Sequence, residues 1–414
     1  MRTGKDLGPL RKLARSALIS HMHKAALDNQ QPFHYALGAF MPNQMLAWAK
    51  AYWKNRIGKK HPFQIYATSN GIFPLVGDGA DAEVRVAIAG DWGTGTDEAF
   101  QVAQRMREHG PHFTAHLGDV YYVGDESEVL ENFLGVPDPK HNFTPCDWPL
   151  GSVGTFDLSG NHEMYARGFA YFDTILPRMG TRTGVGGSPQ EASFFCLKND
   201  HWIVLGLDTA YDSIGTPILE NIFTPKCGLT QEQLGWLRNI VKLQDDHQRG
   251  IILLTHHQYY SSFESPYPKA AQQLAEFIKR PVLWWWGHEH RMAIYSEHSI
   301  GDGIAANGRC IGHGGMPIEL NSKIKHPDVP LLYHDTRRYP SPENITVGYN
   351  GHINLAFRGP DLFVDYVDVA GTRIASEKWS VGNNGFIFSN GVSLLIPQAK
   401  LEEARTAREL AFVI

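Results

Sequence analysis

The sequence predicts an α/β protein. Short apolar runs at residues 84–90, 113–117, 153–158, 202–207, 251–254 and 282–286 read as buried strands. Stretches with apolar residues at helical spacing lie between several of them. From Gly348 to Trp379 the apolar positions alternate, as at Leu362, Val364 and Tyr366, which predicts a closing antiparallel meander. The 414 residues are 43% hydrophobic, enough to bury a large core.

The chain's charge and composition narrow its class. A formal net charge of -5 gives no sign of a general nucleic-acid or membrane surface. Cys146, Cys196, Cys227 and Cys310 form no Cys-x-x-Cys pair, so they read as reduced core thiols rather than a zinc knuckle or a disulfide framework. No run is apolar enough to span a bilayer and no signal-peptide core is visible, so a cytoplasmic protein is expected.

Residues 5–28 and 42–57 carry helical spacing, with Leu10, Leu13 and Leu18 in the first and Leu46, Trp48 and Trp53 in the second. They predict a helical N-terminal extension over residues 1–80, packed on a main domain at 81–380. That domain opens with the strand at 84–90, which ends in Asp91. Thr96 suits the N-cap of a helix carrying Val102 and Met106, and Gly110-Pro111 stops it. The strand at 113–117 runs into Gly118-Asp119-Val120-Tyr121-Tyr122. A short helix at 126–134 and a proline-containing loop precede the strand at 153–158, which is followed by Gly160-Asn161-His162-Glu163. Residues 192–208 read as a hairpin, and Thr230 with Gln233 as a capping box opening the next helix. The wholly apolar run at 251–254 leads into His256-His257. The run at 282–286 leads into Gly287-His288-Glu289-His290, with Trp284 and Trp286 on one face and Trp285 on the other. Residues 381–414 read as a C-terminal tail with a short helix.

Five strands therefore end in Asp91, Asp119, Asn161-His162, His256 and His288-Glu289-His290. A single strand-end Asp more often caps a turn, and a single buried His is more often a satisfied core group. Five such endings at one sheet edge point instead to a ligand site, because strand carboxyl ends are where α/β sheets bind ligands. Carboxylate, amide carbonyl and imidazole together suit first-row divalent or trivalent metals. The Gly90–Gly95 stretch fails the Gly-x-Gly-x-x-Gly spacing of a nucleotide site.

In order and spelling these motifs resemble the metallophosphoesterase (calcineurin-like) superfamily, and within it the purple acid phosphatases. The matching stretches are Gly90-Asp91-Trp92-Gly93, Gly118-Asp119-Val120-Tyr121-Tyr122, Gly160-Asn161-His162-Glu163, His256 and Gly287-His288-Glu289-His290. The resemblance implies a two-sheet α/β/β/α sandwich and a binuclear-metal phosphoesterase acting on a small phosphate ester. It assigns Asp91, Asp119, Tyr122 and His290 to a first metal and Asp119, Asn161, His256 and His288 to a second, bridged by Asp119. It places His162 at the substrate, contacting phosphate or protonating the leaving group, while a hydroxide generated on the metals attacks phosphorus. Most superfamily members have a His where this chain has Gly93, and Tyr122 stands where purple acid phosphatases carry a phenolate. A phenolate suits Fe(III), so iron is expected at the first site and Fe, Zn or Mn at the second.

Several alternatives stay open at this point. The same ligands would serve a phosphodiesterase, with loops 210–228 and 299–345 as the walls that decide. A non-catalytic metal- and phosphate-binding module is a further reading, which the intact ligand set argues against. A nuclease is disfavoured by the absence of a basic stripe. The family's additional His after the strand-end one is missing from Gln258–Phe263, and His257 or His313 could replace it. Tyr165 and Arg167 could touch phosphate, whereas Glu289 reads as structural.

Overall fold

The apolar runs form strands buried on both faces, which is what their lack of alternation requires. The computed structural model describes residues 59–78, 83–121, 123–137, 146–182, 187–214, 227–318, 320, 323–339 and 347–395. In chain order the strands begin with β1 (Ile72–Pro74), β2 (Glu83–Ala89), β3 (Phe113–His116), β4 (Gly154–Asp157), β5 (Gly180–Thr181) and β6 (Phe195–Lys198). Next come β7 (Trp202–Gly206), β8 (Gly250–Thr255), β9 (Val282–Trp286), β10 (Met292–His298), β11 (Ala306–Ile311) and β12 (Leu331–His334). The last are β13 (Arg338–Tyr339), β14 (Val347–Gly348), β15 (Gly351–Arg358), β16 (Asp361–Asp368), β17 (Arg373–Val381) and β18 (Ile387–Leu394). Among the described residues they build two eight-stranded mixed sheets and one small ribbon. The first sheet runs β1-β6-β7-β8-β9-β11-β10-β12 and the second β18-β17-β16-β15-β2-β3-β4-β5.

Alternate residues of one strand serve two different cores. Ile252, Leu254 and Trp285 face the other sheet, where they meet Val86, Ile88, Ala115 and Phe156. Ile251, Leu253, Trp284 and Trp286 face the opposite way, onto Leu234, Leu237, Ala271 and Leu274 of the covering helical turns. Behind the second sheet, Ala87 and Ala89 pack with Val102 and Met106 of helix α1 (Asp97–Glu108), which Thr96 caps. The layers are helix, sheet, sheet, helix, as the sequence predicts. The closing meander is β15 to β18, antiparallel throughout. No helix among the described residues is long and apolar enough to cross a membrane.

Both ends of the chain differ from expectation where they are described. Of the expected helical extension, residues 1–58 lie outside the described residues, and 59–78 are not helical. Phe63 and Tyr66 dock singly, Phe63 against Phe194 and Tyr211, Tyr66 against Phe194 and Trp236. The Glu191 carboxylate accepts the N–H groups of Ala67, Thr68 and Ser69, which fixes the bend there. β1 then pairs in parallel with β6, so this segment belongs to the first sheet. The tail expected from residue 381 begins with β18, hydrogen-bonded along β17. The expected short helix falls on residues 396–414, outside the described residues.

A buried ion pair joins the two sheets. Arg309 of β11 donates to Glu377 of β17 through Nε at 2.9 Å and Nη2 at 2.6 Å. Tyr366 and Trp379 donate to the same carboxylate at 2.6 and 2.9 Å. Burial opposes ionisation of Glu377, but Arg309 outweighs it and holds the carboxyl below its usual range. Glu377→Ala should therefore destabilise the fold by about 3–5 kcal/mol, since it strands a buried guanidinium. Denaturant melts should show this loss, and Arg309→Met combined with Glu377→Leu should recover much of it. Because the folded pKa of Glu377 is depressed, its contribution is present above the unfolded carboxylate pKa and is lost as pH falls through the folded one.

Candidate metal centre

The site lies where strands of both sheets end. Asp91, Asp119 and Asn161 follow β2, β3 and β4 of the second sheet; His256, His288 and His290 follow β8 and β9 of the first. The sequence suggests a single sheet edge. The donors come instead from two sheets stacked with these ends together, which lets them surround a point rather than line a row.

The backbone turns sharply at these ends. Asp91, Asp119 and His288 have φ of 56°, 77° and 66°, left-handed values that side-chain-bearing residues rarely adopt. Such conformations cost roughly 1–3 kcal/mol each and persist where surrounding structure enforces them. Here Asp91 Oδ2 accepts the His288 N–H at 2.7 Å, and Asp119 Oδ1 accepts the His162 N–H at 3.0 Å. Gly160 allows the closest approach, because a Cβ there would collide with the Asp119 carboxylate.

Four donors meet around one point. Tyr121 Oη stands 2.8 Å from Asp91 Oδ1, 2.9 Å from Asp119 Oδ2 and 2.9 Å from His290 Nε2. Four others meet beside them. Asn161 Oδ1 is 2.9 Å from both His256 Nε2 and His288 Nδ1, and His256 Nε2 is 3.4 Å from Asp119 Oδ1. Asp119 thus offers one oxygen to each quartet. Donors held about 2.1 Å from a common ion at right angles stand about 3 Å apart, so these spacings suit coordination. The tautomer argues the same way. His256 Nδ1 faces the Leu117 carbonyl at 2.8 Å, which requires the proton there. Nε2 then faces the oxygens of Asn161 and Asp119, where its lone pair can join theirs around a cation.

Tyr122, the phenol expected at the first metal, lies outside the described residues. Its neighbour Tyr121 occupies the first quartet. Gly93 accounts for this placement: its carbonyl accepts the Tyr121 N–H at 2.8 Å, and a Cβ at Gly93 would press on the Val120 backbone at 2.8 Å. A residue with a side chain at position 93 would push this loop away.

Residues 84–292 match the family model of calcineurin-like phosphoesterases. The chain belongs to that family. No curated protein matches the sequence significantly. Among solved structures, the chain is similar to GAP50 of the Plasmodium inner membrane complex at 13% identity and TM-score 0.45, covering 79% of this chain and 95% of that one. It is similar to a purple acid phosphatase from yellow lupin (Lupinus luteus) seeds at 14% identity and TM-score 0.43, covering 77% and 55%. A dimetal phosphatase from Danio rerio is similar at 11% identity and TM-score 0.38, covering 75% and 99%.

Around the quartets stand the remaining residues singled out in the sequence. His162 lies on the short helix Asn161–Tyr165, its Nε2 3.8 Å from Asp119 Oδ2 and its ring 4.3 Å from that of Tyr121. Tyr165 packs edge-on to His162 at 4.9 Å. The Arg167 carbonyl accepts the His61 N–H. Glu289 turns away from the centre to Ser261 Oγ, which donates to it at 2.7 Å, and to Arg291. His313 supplies its carbonyl to Gly351 N–H and Asn350 Nδ2. Glu163 is a residue whose part the sequence reading left unassigned. It accepts the N–H groups of Val120 at 2.6 Å, Gly160 at 2.8 Å and Asp119 at 3.2 Å, tying the two loops that carry Asp119 and Asn161. Its place three residues after the helix N-cap is the signal that could have found it.

Electrostatics divide the two carboxylates. Burial opposes ionisation of Asp119, but His256, His162 and His288 outweigh it and hold the carboxyl well below its usual range. Burial, and then the charge of Asp119, push Asp91 up to about 7. Burial lowers His290 to about 3, so it is neutral and ready to ligate. A cation entering the first quartet must therefore displace a proton from Asp91 at acidic pH. Metal affinity should fall as pH drops below about 7, with about one more proton released on binding at pH 6 than at pH 8.5, where the Tyr121 phenol still has its own to lose. Calorimetry in two buffers of different ionisation enthalpy measures this.

Proposed function

We propose that this protein is a binuclear-metal hydrolase of small phosphate esters, a purple acid phosphatase-like phosphomonoesterase. The observation that carries this reading is the pair of donor quartets sharing Asp119, with His162 beside the shared carboxylate. The first ion would be held by Asp91, Asp119, Tyr121 and His290, and the second by Asp119, Asn161, His256 and His288. Two cations there would activate water as the nucleophile and neutralise the charge gathering on phosphate. The hard oxygen donors of the first quartet, a phenol among them, favour Fe(III).

The chain's own residues do the rest. Asp119 keeps the two halves of the site in register because each of its oxygens belongs to a different quartet. Asp119 also fixes His162 through the backbone N–H of that residue. The His162 imidazole is thereby positioned to give a proton to the departing alkoxide oxygen, the usual service of a histidine general acid. Tyr165 donates no proton in this scheme; it braces the ring of His162 and receives the Asn161 amide N–H at 3.3 Å.

Metal-free protein reloaded with Fe, Mn or Zn should hydrolyse p-nitrophenyl phosphate faster than bis-p-nitrophenyl phosphate, and the metal-free form should hydrolyse neither. A preference for the bis-ester would make it a phosphodiesterase. Two tightly bound ions with no turnover of either ester would make it a binding module.

A further inference from the structure

A third imidazole stands beside the second quartet without belonging to it. His257 follows His256 at the end of β8 and is 3% exposed. Ligand-type atoms of His256, His257 and His288 lie within 4.8 Å of one another. The His257 ring centroid is 4.7 Å from that of His288 and 4.9 Å from that of His256. Tyr267 closes the opposite side, edge-on at 5.2 Å.

Thr209 engages one of the two ring nitrogens. Its Oγ1 accepts the His257 backbone N–H at 3.1 Å and lies 3.2 Å from Nδ1. In the tautomer with its hydrogen on Nδ1, His257 gives that hydrogen to Oγ1, whose two lone pairs can take both N–H groups, and Nε2 carries the lone pair a cation would meet. His256 is prepared in the same manner, with Nδ1 on the Leu117 carbonyl and Nε2 facing Asn161. Anchoring the remote N–H is how proteins orient a histidine that ligates a metal.

We propose that His257 is a third imidazole donor to the second cation, and that this subsite selects zinc or a similar late first-row divalent ion over manganese or magnesium. The inference rests on the binuclear reading above and narrows it. Three imidazoles with one amide oxygen and one shared carboxylate form a nitrogen-rich set. Imidazole suits zinc, whereas manganese and magnesium prefer oxygen donors.

Calorimetric titration of the metal-free full-length protein with zinc, and separately with manganese, tests it. Wild type is expected to bind zinc at the second subsite far more tightly than manganese. His257→Gln should weaken that zinc site by more than about tenfold and change manganese affinity by less than about twofold. Thr209→Val keeps the imidazole but removes its anchor, and should weaken the same site by a smaller factor. Zinc affinity unchanged in both variants, with two sites present, would overturn the third-donor assignment. So would a raised KM for p-nitrophenyl phosphate in His257→Gln at unchanged zinc affinity, because that places His257 on the substrate. Fewer than two bound ions in wild type loaded with iron and zinc together would overturn the binuclear reading itself, an outcome distinct from the other two.

Discussion

Exchange of His162 for alanine should lower kcat for a phosphate monoester by about 10²–10⁴-fold, the range for losing a general acid, while both cations stay bound. The imidazole faces the shared carboxylate at 3.8 Å but belongs to neither quartet. Its backbone N–H, which holds Asp119, survives the exchange. Asn161→Ala should do the reverse. It removes the oxygen that faces His256 and His288, so the second ion is lost first and activity follows occupancy. Metal content by plasma mass spectrometry, read beside kcat, separates the two. If His162→Ala lost metal and kept kcat per bound ion, the roles would have to be exchanged.

The second large effect concerns colour. Tyr121 Oη touches Asp91, Asp119 and His290, so a ferric ion in that quartet would carry a phenolate and absorb visible light by charge transfer. Burial, and then the carboxylates of Asp119 and Asp91, hold the free phenol well above its ordinary pKa, and a trivalent cation reverses that balance. Iron-loaded wild type should be violet to pink. Tyr121→Phe should abolish the band, with Asp91, Asp119 and His290 still able to retain some iron. Tyr122→Phe should keep it. A band that survives Tyr121→Phe and disappears in Tyr122→Phe would return the ligand to the residue that motif spacing suggests.

That one-residue difference shows what the sequence could and could not reveal. Asp91, Asp119, Asn161, His256, His288 and His290 were legible because each follows an apolar run, and the structure gathers all six. The choice between adjacent tyrosines was not. Counting faces along an extended segment assumes strict alternation, but Gly118 and Asp119 both take left-handed φ and break the phase just before Tyr121. The contact that sets the phase, Gly93 against Val120, is made by backbone and leaves no mark in residue spacing. Arg309 and Glu377 were invisible for a related reason: 68 residues separate them, and only the stacking of two sheets brings them together. Residues 59–78 are not helical, and the bend at Ala67–Ser69 is fixed by Glu191, more than 120 residues away.

Anomalous diffraction from crystals of the metal-loaded protein, collected at the absorption edge of each metal present, tests the central claim most directly. The account predicts two peaks about 3.5–4 Å apart, one within bonding distance of Asp91, Tyr121 and His290, the other of Asn161, His256 and His288, with Asp119 reaching both. A single peak, or two peaks that do not share Asp119, would contradict it.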